Sequence, residues 1–230
     1  MLYNVEPCKI LPMNKKPLAP GCYYHIYNRG TEKRKIFLSE KDYSRFVASL
    51  FLCNNTYPAD LKRQGSTLLE LLNNEREETL VNICAYCLMP NHFHLLLHEK
   101  SDGGISKFMQ KLQTAYTMYF NQKNERTGAL FQGKYKISIA GNDNYLRYLV
   151  SYIHLNPIKL IEPRWKENGI KNLKNAEKFL KKYKYSSYLD FLGEKRPETK
   201  IVEIKSLPEY FENKKDFEDT IKEWLNYKNV

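Results

Sequence analysis

His92, Phe93 and His94 set two imidazoles one residue apart. In an extended strand, residues i and i+2 project from the same face with Cα atoms about 6–7 Å apart, near enough to share one cation. Phe93 then points to the opposite, packed face, and Leu95 and Leu97 share its parity. His98 has the histidine parity but lies about 13 Å beyond His94 at strand rise, too far for the same ion. A second pair is Tyr152 and Asn156, four residues apart in a stretch of helical periodicity. Phenol and amide there stand over one patch. Tyr145, Tyr148 and Tyr152 line one side of that stretch, while Leu146, Leu149 and Ile153 form the adjacent one.

These groups suit phosphoryl chemistry. Two imidazoles and an amide oxygen form a donor set for Mg²⁺ or Mn²⁺ that leaves positions free for phosphate oxygens. A cation held there stabilises the negative charge that builds at an attacked phosphorus. Tyrosine suits the nucleophile's part because a phosphotyrosine linkage conserves the bond energy for rejoining. At a free pKa of about 10, roughly one phenol in a thousand is ionised at pH 7, a deficit of about 4 kcal/mol. A metal and neighbouring lysines must offset it. Tyr116, in another helical stretch, is the second choice of nucleophile. His154 lies about 200° around the helix from Tyr152 and should point away. Arg29, Lys107, Lys111, Lys134 and Lys136 are the candidate phosphate contacts.

Several elements must position these residues. Tyr23 to Tyr27 reads as a short aromatic strand ending at Asn28-Arg29-Gly30. Ser39 is an N-cap for a helix carrying Tyr43, Phe46, Val47, Leu50 and Phe51 at helical spacing. Residues 54–79 read as polar loop with a short helix near 67–72. Leu80 to Leu88 and His92 to Glu99 read as two strands of a hairpin joined through Met89-Pro90-Asn91. A helix starting near Ser101-Asp102 keeps Ile105, Phe108, Leu112, Tyr116 and Tyr119 on one side. Ala129 to Ile139 reads as a strand. Asn142-Asp143 cap a helix that Pro157 stops, with Asn156 on a distorted last turn. A final helix is expected around Phe217, Ile221, Trp224 and Leu225. This order indicates an α+β fold with one antiparallel sheet, helices on one face and a C-terminal helical extension. Three regions follow: an irregular lead-in over 1–20, a core domain over 21–163 and a basic, mainly helical extension over 164–230.

Composition excludes some classes. Hydrophobic residues at 42% and aromatic residues at 13% rule out disorder throughout. No run of about 20 apolar residues offers a membrane span. The opening residues lack a signal-peptide pattern, so a cytoplasmic location is expected. Net charge is +11, concentrated between 101 and 200. That suits a polyanion partner, though a lysine-rich solvated surface would look the same. The basic, Tyr-rich stretch 171–188 reads equally as a grip on a polyanion by charge and stacking or as a packed helix. Five cysteines are odd in number, so a disulfide framework is not expected. Cys84 and Cys87 should sit on opposite strand faces as buried, inert thiols.

Met89-Pro90-Asn91-His92-Phe93-His94-Leu95-Leu96 resembles the metal-binding motif of single-tyrosine HUH transposases of the insertion-sequence type, above all the REP-associated tyrosine transposases. Supporting segments are Tyr24-His25-Ile26-Tyr27-Asn28-Arg29-Gly30 and Gly128-Ala129-Leu130-Phe131-Gln132-Gly133-Lys134-Tyr135-Lys136. Tyr152-Ile153-His154-Leu155-Asn156-Pro157 resembles the segment holding that family's nucleophile, and Tyr185-Ser186-Ser187-Tyr188 a shared downstream motif. The resemblance implies a ferredoxin-like sheet with both histidines on a central strand. It implies that Tyr152 attacks one DNA strand and keeps the 5′-phosphate, with His92, His94 and Asn156 as metal ligands. The expected substrate is single-stranded or hairpin DNA, cut and transferred, and a homodimer stays open. The competing reading is a non-catalytic DNA-binding protein derived from a transposase that recognises structured repeats.

Overall fold

The computed structural model describes residues 18–57, 67–73, 78–211 and 213–226. The expected lead-in lies largely outside them. β1 (Tyr23–Arg29), β2 (Val81–Met89), β3 (His92–Glu99) and β4 (Lys136–Ile139) form one antiparallel sheet in the order β2-β3-β1-β4. With α1 (Glu40–Leu52) between β1 and β2, and α3 (Gly104–Lys123) between β3 and β4, this is the split β-α-β arrangement of ferredoxin-like folds. α2 (Leu68–Leu72) is one short turn in the β1-to-β2 connection.

Local chemistry starts the helices as expected. Asp42 accepts from the Ser39 backbone N–H at 2.9 Å and closes a capping box on α1. Asn142 Oδ1 accepts from Tyr145 N–H at 2.8 Å and starts α4 (Asp143–Leu155). α3 begins at Gly104, later than expected, because Gly103 takes a left-handed turn (φ 76°) first. β4 is shorter than the expected strand. Only Phe131 of the preceding stretch forms a ladder contact, an isolated bridge to Gly30.

Both faces of the sheet are covered, which corrects the expectation of helices on one face. Tyr24, Ile26, Phe93, Leu95 and Leu97 pack against Phe46 and Leu50 of α1 and Phe108, Leu112 and Tyr116 of α3. On the other face, Leu96 and Cys87 pack under Leu146, Leu149 and Ile153 of α4. That second core also takes in the C-terminal helices α6 (Leu173–Lys182), α7 (Tyr188–Phe191) and α8 (Lys214–Asn226), which the sequence order alone could not assign to a side.

Cys84 and Cys87 share a face after all. The β2–β3 register shifts between Ile83 and Ala85, so a bulge turns Cys84 to the side of Ala85 and Cys87. Both thiols are buried, and burial pushes Cys84 up to about 12, so they are inert as expected. Cys22, by contrast, is disulfide-bonded.

Tyr185-Ser186-Ser187-Tyr188 closes the β2 edge. Leu88 N–H donates to Tyr185 O at 2.9 Å, and Ser187 N–H donates to Tyr86 O at 3.0 Å. Ser187 Oγ also accepts from Tyr86 N–H at 2.9 Å and lies 2.7 Å from His154 Nε2 of α4. An otherwise bare strand edge is thereby paired. Arg196 braces the same corner through a buried ion pair with Asp190 and a hydrogen bond to Ser186 O at 2.6 Å.

Candidate active site

β1 and β3 are the central strands, and their register pairs Tyr27 with His94 and Arg29 with His92. Directly paired residues share a face. His25, Tyr27, Arg29, His92 and His94 therefore all stand on the side that α4 crosses. The His92 and His94 rings lie 5.0 Å apart between centroids and nearly perpendicular. His25 approaches diagonally, with Nε2 2.9 Å from His94 Nδ1.

α4 then sets the Tyr152 ring edge-on to both imidazoles. Centroid distances are 5.6 Å to His94 and 5.8 Å to His25. Tyr148 continues the aromatic row at 5.7 Å from Tyr152 and meets Trp224 of α8 at 4.9 Å.

Asn156 sits where α4 tightens out of α geometry, as expected, but the proline after it does not push it out of the helical region. It keeps right-handed helical angles (φ −53°, ψ −37°) and opens a 3₁₀ turn, Asn156–Leu160. Pro157 is tolerated there because the first turn of a helix needs no N–H from it. Asn156 Nδ2 donates to the Tyr152 carbonyl at 2.7 Å. Its Oδ1 is buried with no partner. A bare buried acceptor costs about 1–3 kcal/mol, and an oxygen donor of this kind is what a hard cation takes up. Among the described residues no three His, Cys, Asp or Glu side chains converge on a metal position. The His92 and His94 imidazoles and the bare Asn156 amide oxygen are groups that could hold a divalent cation.

Burial dominates the electrostatics. It pushes His92 down to about 4, helped by Lys159 and Arg29, and His25 down to about 4, helped by Lys166. His94 is pushed well down by burial, then by His92 and His25. Near pH 7 all three rings are neutral, the state a metal ligand needs. Burial and Tyr148 push the Tyr152 phenol up, while the Asn156 amide pulls it back.

Lys166, on the short helix α5 (Trp165–Asn168), places Nζ 3.9 Å above the Tyr152 ring centroid. Burial and Lys159 push its ammonium down to about 8. Neither Lys159 nor Lys166 stands out in the sequence. The 3₁₀ turn after Asn156 brings them in, and only a pattern of cations just beyond a Tyr-x₃-Asn pair hinted at it.

The other candidates divide by location. Arg29 Nη2 donates to Gln132 Oε1 at 3.2 Å, and Lys136 pairs with Tyr27, so both stand at the histidine end of the sheet. Lys134 is exposed beside them. Lys107 and Lys111 lie on α3, whose apolar side packs on the far face. Lys111 there donates to Asn55 O at 2.5 Å and Tyr57 O at 2.6 Å. Tyr116 is buried on that same face and donates to Ile36 O at 2.6 Å, which removes it as a nucleophile. His98 stacks on Tyr23 at 4.7 Å, away from the pair. His154 faces Ser187 and Phe191, away from Tyr152's patch.

No helix of the described residues is long and apolar enough to cross a membrane. No curated protein matches the sequence. Among solved structures, one described as "Structure of the REP associates tyrosine transposase bound to a REP hairpin" is similar over 82% of this chain and 90% of that one, at 12% identity and a TM-score of 0.49. Residues 19–156 match the family described as "Transposase IS200 like". That match spans more than half of the sequence and every histidine, tyrosine and asparagine of the site. The chain belongs to the IS200-like transposase family, and its role is DNA processing of the transposase type.

Proposed function

We propose that the protein is a metal-dependent single-strand DNA endonuclease and strand-transferase working through a covalent 5′-phosphotyrosine on hairpin-containing DNA. The observation that carries this reading is the Tyr152 ring set against His94, with Asn156 one helical turn further on. Tyr152 Oη attacks the phosphorus, the P–O3′ bond breaks, and the 3′ oxygen takes up a proton to leave as a hydroxyl. The phenolic proton passes to solvent. Attack by another strand's 3′-hydroxyl reverses the step and rejoins DNA.

His92, His94 and Asn156 would hold Mg²⁺ or Mn²⁺. When bound, such a cation polarises the phosphodiester and stabilises its developing charge. Lys166 and Lys159 add positive charge beside the phenol and the histidines. Arg29, Lys134 and Lys136 extend that charge along the end of the sheet as proposed phosphate contacts. Lys107 and Lys111, on the far face, are outside this track.

The test is incubation with a hairpin-bearing single strand and Mn²⁺, read on a denaturing gel. A protein–DNA adduct that disappears in Tyr152→Phe supports the reading. Binding without an adduct points to the non-catalytic DNA-binding alternative. Cleavage retained by Tyr152→Phe rejects the nucleophile.

A further inference from the structure

We infer that Asn91 and His25 are positioning residues that fix the ring tautomers of His92 and His94, so that each presents a bare Nε2 to a divalent cation. The inference rests on the proposed metal site and names the residues behind its ligands.

The Asn91 side chain is oriented by its own contacts. Its Nδ2 donates to the Lys33 carbonyl at 3.2 Å, which turns Oδ1 toward His92 Nδ1 at 2.7 Å. A carbonyl oxygen can only accept. The hydrogen therefore sits on His92 Nδ1, and Nε2 carries the lone pair.

His94 has only one nitrogen left to offer, because its Nδ1 is engaged 2.9 Å from His25 Nε2. Two neutral ring nitrogens at that distance share one hydrogen. With the hydrogen on His94 Nδ1, His25 accepts and His94 Nε2 is open. The reverse arrangement would put a hydrogen on His94 Nε2 and close it to any cation. Both rings are nearly buried, and His25 is flanked by Tyr27 at 5.1 Å and Tyr152 at 5.8 Å, so its orientation is held by packing. His25 is thus placed to act through His94 without touching the cation. Such partners commonly change metal affinity about 10- to 100-fold when lost.

The experiment pairs two readouts that do not require turnover. Long-range ¹H–¹⁵N NMR of the metal-free protein reads the tautomers, and calorimetric titration with Mn²⁺ reads affinity. Wild type should show hydrogen on Nδ1 of both His92 and His94. Asn91→Leu and His25→Phe should each weaken Mn²⁺ binding about 10- to 100-fold. Asn91→Asp and His25→Gln, which keep an acceptor and guard against a mere folding defect, should recover most of it. Hydrogen on His94 Nε2 in wild type, or unchanged affinity in the Leu and Phe variants, overturns the inference alone. A wild-type protein that takes up no Mn²⁺ overturns the metal site, and the inference with it.

Discussion

Lys166 Nζ stands 3.9 Å over the face of the Tyr152 ring, and the two side chains come from different elements, α5 and α4. A cation over a phenol's face favours the phenolate electrostatically. Lys166 serves only while protonated, and its ammonium is pushed down to about 8. Cleavage should therefore climb with pH as the phenol ionises and then bend over near pH 8. Lys166→Arg keeps its charge and should lose the descending limb. Lys166→Met should lower the single-turnover rate about 10²-fold. Rates measured between pH 6 and 10 check this, and a Lys166→Arg profile identical to wild type removes Lys166 from the step.

Asn156 gives a stability prediction. In Asn156→Asp, the Nδ2 bond to the Tyr152 carbonyl is lost and a carboxylate is buried in its stead. Without metal, the variant should be less stable by about 1–3 kcal/mol at pH 7. Mn²⁺ should raise its melting temperature more than it raises that of wild type. Thermal melts with and without Mn²⁺ decide it; equal shifts would separate Asn156 from the cation.

His154 predicts acid sensitivity. Burial pushes its ring from about 6.5 down to about 3, with Arg196 acting in the same direction. The unfolded chain therefore binds the proton first as pH falls, and stability is lost between about pH 6.5 and pH 3. At about 1.4 kcal/mol per unit, the loss reaches several kcal/mol. His92 and His25 titrate in the same window, so the measurement is a difference. Urea midpoints of His154→Gln should decline less steeply with falling pH than those of wild type.

Trp224 ties the C-terminal helix to α4, the helix that carries Tyr152, through Tyr148. Trp224→Ala should cost about 0.5–1.5 kcal/mol for the ring pair, plus the apolar area exposed. Amide exchange should speed up along residues 143–155 more than along β3. Exchange mass spectrometry reads both, and uniform acceleration would mean that α8 stabilises only globally.

The elements that carry the candidate site were legible wherever periodicity is local. β3 begins at His92 and ends at Glu99 as its two-residue alternation demands, and Asn142 marks the start of α4 as a cap. The parity of His92 and His94 against Phe93, Leu95 and Leu97 follows from the pleat alone. What the chain hid was tertiary. The bulge that turns Cys84 has no side-chain signature. Lys159 and Lys166 reach the site through a 3₁₀ turn and a four-residue helix, too short for periodicity to register. The choice of face for α3, which separates Lys107 and Lys111 from the histidines, is a matter of topology.

Ser187 joins three stretches of chain far apart in order: its hydroxyl meets Tyr86 of β2 and His154 of α4 while its own segment runs beside the sheet. The height at which α4 rides above the histidines is therefore gauged from outside the stretch shared with the family. The stretch of chain that shapes this candidate site is longer than the one that carries its signature residues.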